Sequence, residues 1–158
     1  MKALADLFSG AGCRSVVTYI QSGNVVFRAP PPLARQIPNL IQEAIQGEFG
    51  LEVPIVTRTA LELRKVVRGN PFLRSGAEAS TLHVAFLADR PSAAAIKSLD
   101  PKRSPHDAFV VRGRDIYLHC PNGFGRTKLS NAYFDSKLGT TSTVRNWRTV
   151  ETLLELAG

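Results

Sequence analysis

Ala108-Phe109-Val110-Val111-Arg112-Gly113-Arg114-Asp115-Ile116-Tyr117-Leu118-His119-Cys120 holds two β-branched and aromatic runs on either side of Gly113-Arg114. Two such runs around a two-residue, glycine-bearing break predict a β-hairpin, Ala108–Arg112 against Asp115–Cys120. Upstream, Thr81–Leu87 alternates Leu82, Val84 and Phe86 with their neighbours and reads as a further strand. Pro91–Leu99 between them reads as a helix with proline in its first turn, where a missing N–H costs little. Downstream, Thr127–Leu138 reads as a helix, Thr140–Thr143 as a short extended piece and Val144–Ala157 as the last helix. The pattern is βαββαβ with a terminal helix.

The first half has a related rhythm. Leu4, Leu7, Phe8 and Ala11 recur at helical spacing and end at Gly10 and Gly12. Ser15–Gln21 and Asn24–Arg28, separated by Ser22-Gly23, form a second hairpin pattern. After Pro30-Pro31-Pro32, residues Leu33, Ile37, Leu40, Ile41, Ala44, Ile45 and Phe49 make one helical face that stops at Gly50. Leu51–Thr57 reads as a strand, and Ala60–Arg68 as a helix ending at Gly69-Asn70-Pro71. The expected fold class is therefore α+β, with duplicated ferredoxin-like (βαββαβ) subdomains, antiparallel sheets, and the first strand of the N-terminal unit missing. The halves would be 1–69 and 70–158, intertwined as one domain over 1–158. A sheet lacking that strand leaves an unpaired edge, through which homo-oligomers would form.

Composition narrows the classes. With 44% hydrophobic and 21% charged residues the balance is that of a globular chain. No stretch approaches the ~18 apolar residues of a membrane span, so no membrane partner is expected. Asp6 interrupts the apolar N-terminus, and Gly10 and Gly12 follow too soon for a signal-peptide core; the expected location is cytoplasmic. Cys13 and Cys120 lie in no C-x-x-C pair, and His83, His106 and His119 have no ligand spacing. No metal and no cofactor are expected. The net charge is +7, and from Lys102 to Arg148 nine basic residues face only Asp107, Asp115 and Asp135. A basic stretch of this kind attracts phosphates, nucleic acid or other acidic partners, or serves only as a solvated face.

Several phrases resemble a known family. They are Thr18-Tyr19-Ile20-Gln21-Ser22-Gly23-Asn24-Val25-Val26-Phe27, Asn70-Pro71-Phe72, Ile116-Tyr117-Leu118-His119 with Gly125-Arg126-Thr127-Lys128-Leu129, and Thr143-Val144-Arg145-Asn146-Trp147 with Thr149-Val150. In this order they look like the domain-of-unknown-function family 1697. The resemblance implies two similar βαββαβ subdomains and carries no activity with it. Relative to the family pattern the chain lacks the usual opening strand and its Leu-Arg-Gly-Ile-Asn-Val-Gly-Gly loop. It also has Thr127 where serine is usual and Arg148 where asparagine is common.

One stretch suggests a ligand site. Pro121-Asn122-Gly123-Phe124-Gly125-Arg126-Thr127-Lys128 leaves a strand and enters the expected helix, offering backbone N–H groups and a helix N-terminus to an anion. Its spacing is not that of a Walker A loop. The alternative is a turn whose glycines only satisfy positive φ. Arg145 and Arg148, with Asn146 between them, fall in the opening turn of the expected last helix, where the macrodipole disfavours cations. They call for an anion or for pairing such as Arg148 with Glu151. In the same helix Trp147, Val150, Leu154 and Ala157 form a core stripe. The expected site is thus Gly123, Gly125, Arg126, Thr127, Lys128, Arg145, Asn146 and Arg148, converging on one pocket. A secondary polar turn consists of Gln21, Ser22 and Asn24.

No catalytic residue is expected. His119 and Cys120 are adjacent on a strand and point to opposite faces, and the acids have no acid–base spacing. The leading expectation is non-catalytic binding of a phosphate-bearing partner, with nucleic acid as one form of it. An enzyme acting on a small phosphorylated or carboxylated substrate and a structural or oligomeric module are the alternatives. Tyr19, Phe109 and Tyr117 lie on strands, but no RNP-like aromatic motif accompanies them.

Overall fold

A computed structural model describes residues 2–20 and 23–158. The chain is α+β with two antiparallel sheets, and its contacts divide it into two compact units, Met1–Thr57 with Leu153–Gly158, and Arg58–Thr152.

In the first unit, α1 (Lys2–Gly10) is followed by a two-stranded sheet of β1 (Arg14–Tyr19) and β2 (Asn24–Arg28). The ladder has a bulge between Arg14 and Val17, where Ser15 takes a φ of 51°. Helix α2 (Pro31–Phe49) begins at the proline run and ends at Gly50, whose φ of 66° sends its N–H back to the Gln46 carbonyl at 2.9 Å. Ile37, Ile41 and Ile45, each one turn apart, are buried with Phe8 and Cys13, and Val16, Val25, Phe27 and Ile55 pack on them. The strand expected over Leu51–Thr57 does not form. Leu51, Val53 and Ile55 alternate as a strand would, but among the described residues β1 and β2 pair only with each other, and Leu51 and Val53 stay exposed. Alternation without a ladder partner leaves extended chain.

The second unit opens with α3 (Ala60–Arg68). Thr59 and Glu62 close a capping box there: the Thr59 hydroxyl accepts from the Glu62 N–H, and the Glu62 carboxylate from the Thr59 N–H. The short α4 (Pro71–Arg74) is capped by Asn70, whose Oδ1 accepts from the N–H groups of Phe72 and Leu73. Then follow β3 (Leu82–Leu87), α5 (Ala93–Lys97), β4 (Ala108–Arg112), β5 (Asp115–His119), α6 (Asn131–Leu138), β6 (Ser142–Asn146) and α7 (Trp147–Ala157), of which the residues from Leu153 on belong to the first unit. The sheet order is β4-β5-β3-β6, every neighbour antiparallel. The expected hairpin turns at Gly113-Arg114, with Gly113 at φ 61°.

Register sorts the side chains. Ala85 and Leu87 of β3, Ile116 and Leu118 of β5 and Phe134 of α6 bury one face. On the other face Val84 lies beside Tyr117, whose hydroxyl donates to the Val66 carbonyl of α3 at 2.9 Å. At the end of β3, Arg58 is fixed, with only 7% of its side chain exposed. It donates to the Leu87 and Arg114 carbonyls, each at 2.8 Å, and to Asp115 Oδ1. Burial draws the Arg58 guanidinium below its ordinary value despite the Asp115 charge, and pushes the Asp115 carboxyl up despite Arg58. Each ion is thus costly to leave without the other.

Three helices begin later than the pattern predicts. The helix expected from Pro91 starts at Ala93, after the Ser92 hydroxyl accepts from the Ala95 N–H. The one expected from Thr127 starts at Asn131, capped by Ser130. The last, expected from Val144, starts at Trp147, because Ser142–Asn146 are taken up as a strand against β3 and the Asn146 Oδ1 accepts from the Thr149 N–H at 2.9 Å. Trp147 and Val150 are buried, as their spacing predicts.

Replacing Arg58 by methionine strands Asp115 in this setting and should cost about 3–5 kcal/mol. Asp115→Asn should cost less, since Arg58 keeps both carbonyl acceptors. Denaturant unfolding checks both, and an Arg58→Met change within about 0.5 kcal/mol of wild type would refute the assigned role.

Candidate anion-binding cleft

The turn after β5 is tied down before it presents anything. The Cys120 N–H donates to the Thr81 carbonyl and the Gly123 N–H to the Cys120 carbonyl. Gly123 has a φ of 92°, a conformation that favours glycine. Phe124–Arg126 make a single 3-10 turn, with the Phe124 ring stacked on His83 at 4.8 Å. Leu129 is buried behind it, while Gly123, Arg126 and Lys128 are exposed.

A second loop forms the opposite wall. Arg103 Nε donates to the Lys128 carbonyl at 2.9 Å, and its guanidinium lies 4.1 Å from the Tyr133 ring centroid. Ser104 is buried; its hydroxyl donates to Asp107 Oδ2 at 2.5 Å and accepts from the Lys128 N–H at 3.3 Å. Between the loops is a cavity of about 260 Å³. Ser104, His106 and Asp107 line it from one side, and Asn122, Gly123, Arg126 and Lys128 from the other. Among the described residues neither Arg126 nor Lys128 has a carboxylate within ion-pairing distance.

Beneath the cleft Thr127 accepts from the Leu129 N–H, lies 3.5 Å from the Ser104 hydroxyl and shares a side-chain hydrogen bond with Cys120. Burial, with the Asp107 charge adding to it against Thr127, pushes the Cys120 thiol up to about 11. It is a neutral, enclosed thiol and no nucleophile.

The structure brings together only part of the expected site. Gly123, Arg126 and Lys128 line the cleft, with Thr127 beneath. Gly125 is exposed, is not part of the cleft lining and has no positive φ, so backbone geometry does not require glycine there. The turn does not run directly into a helix, because Thr127 and Lys128 precede the start of α6. Arg145 is across the sheet: it lies opposite Val84, on the Tyr117 face, whereas Phe124 stacks on His83, on the other face. Its guanidinium donates to Thr143 Oγ1 and to the Val144 carbonyl, and burial holds its pKa below the ordinary value. Asn146, opposite His83, serves as the cap of α7. Arg148 is exposed on α7 away from the cleft lining and makes no ion pair with Glu151. The expected convergence of Arg145 and Arg148 with the glycine turn does not occur.

In the secondary turn, Gln21 and Ser22 lie outside the described residues. Asn24 is 5% exposed and donates through Nδ2 to the Tyr19 carbonyl at 3.1 Å, a role inside the hairpin. Ser104, His106 and Asp107 fall outside the expected site, whereas Asn122 belongs to the expected Pro121–Lys128 turn. The signal available was a Ser-Pro-His-Asp turn directly after Lys102-Arg103, which only the fold sets against residues 122–128.

Behind the turn, His83 has a buried Nδ1 with no hydrogen-bond partner among the described residues, and burial lowers its pKa. The unfolded chain therefore takes the proton first, so stability falls as pH drops below the unfolded value of about 6.5. Melting temperatures followed through that range should decline more steeply for wild type than for His83→Phe; parallel curves would refute the claim. Cys120 should resist alkylation in the native protein and react at the unfolding rate, and fast labelling at neutral pH would contradict its enclosure.

Comparison with known proteins places the chain. No curated protein and no solved structure matches it. The family model described as protein of unknown function (DUF1697) matches residues 1–117, which include the Ser104–Asp107 wall of the cleft and end within β5. That match spans most of the chain, and the protein belongs to the DUF1697 family.

Proposed function

We propose that this protein is a non-catalytic binding protein that captures the phosphate group of a partner in the cleft between residues 104–107 and 122–128. The observation that carries this reading is the presence of Arg126 and Lys128, neither paired with a carboxylate among the described residues, in the lining of one cavity with His106 and the Gly123 turn. Cationic donors gathered around a small concavity favour an anion, and the surrounding basic stretch raises its local concentration. The volume of about 260 Å³ lies just below the range of about 300–1,000 Å³ typical of organic ligands. The phosphate would enter and the rest of the partner would lie outside. Burial keeps the Cys120 thiol protonated, so it supplies no thiolate nucleophile to the cleft.

The strand order β4-β5-β3-β6 supports a ferredoxin-like reading of the second unit, and the α1–α2 region is then its shortened copy. Two free, buried cysteines are in keeping with a cytoplasmic location.

Calorimetric titration with inorganic phosphate and with a 5′-phosphorylated oligonucleotide tests the reading. Arg126→Gln/Lys128→Gln should weaken binding at least about tenfold, while Arg148→Gln leaves it within about twofold. Oligonucleotide affinity should also fall with added salt, by a smaller slope in the double variant. No binding of either probe at low salt, or an unaffected double variant, would overturn it.

A further inference from the structure

We propose that Asp107 makes the cleft selective for a phosphoryl group that still carries a proton, as inorganic phosphate or a phosphomonoester, over sulfate and over phosphodiesters. The inference rests on the anion-binding reading above and adds the class of ligand to it.

A wall built only to attract anions has no use for a carboxylate, since like charges placed together disfavour each other. Asp107 nevertheless lines this cavity with His106, Arg126 and Lys128. Its Oδ2 is occupied by the Ser104 hydroxyl at 2.5 Å. Asp107 makes no ion pair among the described residues, which leaves Oδ1 as an acceptor without a protein donor. The carboxylate is also held still. Ser104 is only 7% exposed and is itself fixed by the Lys128 N–H, so Asp107 cannot swing away from the cavity without giving up that bond.

An ionised carboxylate accepts hydrogen bonds and donates none. Sulfate and a phosphodiester anion are likewise acceptors only, so beside Asp107 they bring two acceptors together with no proton between them. A phosphomonoester monoanion carries one P–O–H group. It can donate that proton in a short, charge-assisted bond to Asp107 Oδ1, while its other oxygens accept from Arg126, Lys128 and His106. One residue thereby turns a general anion cradle into one that recognises protonation. Discrimination built on an unsatisfied buried or half-buried acceptor is large, because the wrong ligand leaves that acceptor unpaired.

The test uses the intact chain at about pH 6, where a phosphomonoester is divided between its two ionisation states. Calorimetry with inorganic phosphate, phenyl phosphate, sulfate and dimethyl phosphate should give the first two at least about tenfold tighter binding than the last two. In Asp107→Asn, whose amide can donate, sulfate should bind more tightly and the preference should shrink to within about twofold. Thermal unfolding of this variant shows whether it folds; if it does not, the wild-type order of the four probes decides alone. Sulfate binding as well as phosphate in wild type, or a preference that persists in folded Asp107→Asn, overturns the selectivity and leaves the anion cleft standing. No binding of any of the four overturns both.

Discussion

Strand β3 is paired on both edges, with β5 on one side and β6 on the other, and is covered on both faces. Five of its six residues are buried. Most of the second unit depends on this position, because register alone decides what each β3 residue meets. Val84 meets Tyr117 and Arg145, and His83 meets Leu118 and Asn146. A slip of one residue would exchange the faces, removing His83 from beneath Phe124 and with it the support for one wall of the cleft. Arg58 opposes such a slip at the far end of the strand, since it holds the Leu87 and Arg114 carbonyls with one nitrogen.

The parts of this arrangement that were legible in the sequence are those dictated locally. The alternation of Leu82, Val84 and Phe86, the Gly113-Arg114 hairpin and the Ile37/Ile41/Ile45 stripe each follow from side-chain period and backbone freedom over a few residues. What could not be read depends on pairing between distant segments. Leu51–Thr57 has a strand's pattern and lacks a ladder to join. Val144–Asn146 suit a helix start equally well, and are strand only because β3 offers them an edge.

That last boundary decided the fate of half the expected site. In a helix Arg145 and Arg148 are one turn apart and share a face; in a strand Arg145 and Asn146 point to opposite faces. Moving the helix start from Val144 to Trp147 therefore turns Arg145 toward the Tyr117 face and leaves Arg148 by itself. The glycine turn survived for a local reason, the positive φ at Gly123, which needs no distant partner. Its opposite wall was invisible for the converse reason. Ser104, His106 and Asp107 are some twenty residues away, and the hydrogen bonds that bring them there, Arg103 and Ser104 to the backbone of Lys128, exist only in the folded chain.

The charge of the cleft follows from how its floor is built. Cys120 and Thr127 lie beneath it and Ser104 in its wall as neutral groups, and burial keeps the Cys120 thiol protonated, so these three contribute hydrogen bonds and no net charge. The charge therefore belongs to the lining: two cations, Arg126 and Lys128, set against one carboxylate, Asp107. Before any charge on His106 is counted, one positive charge is left over. A single negative charge neutralises it, whereas a dianion would overshoot and would place its second charge against Asp107. The same carboxylate that offers an acceptor to a protonated phosphoryl group thus also limits how much negative charge the cleft can hold, and both constraints favour a monoanion.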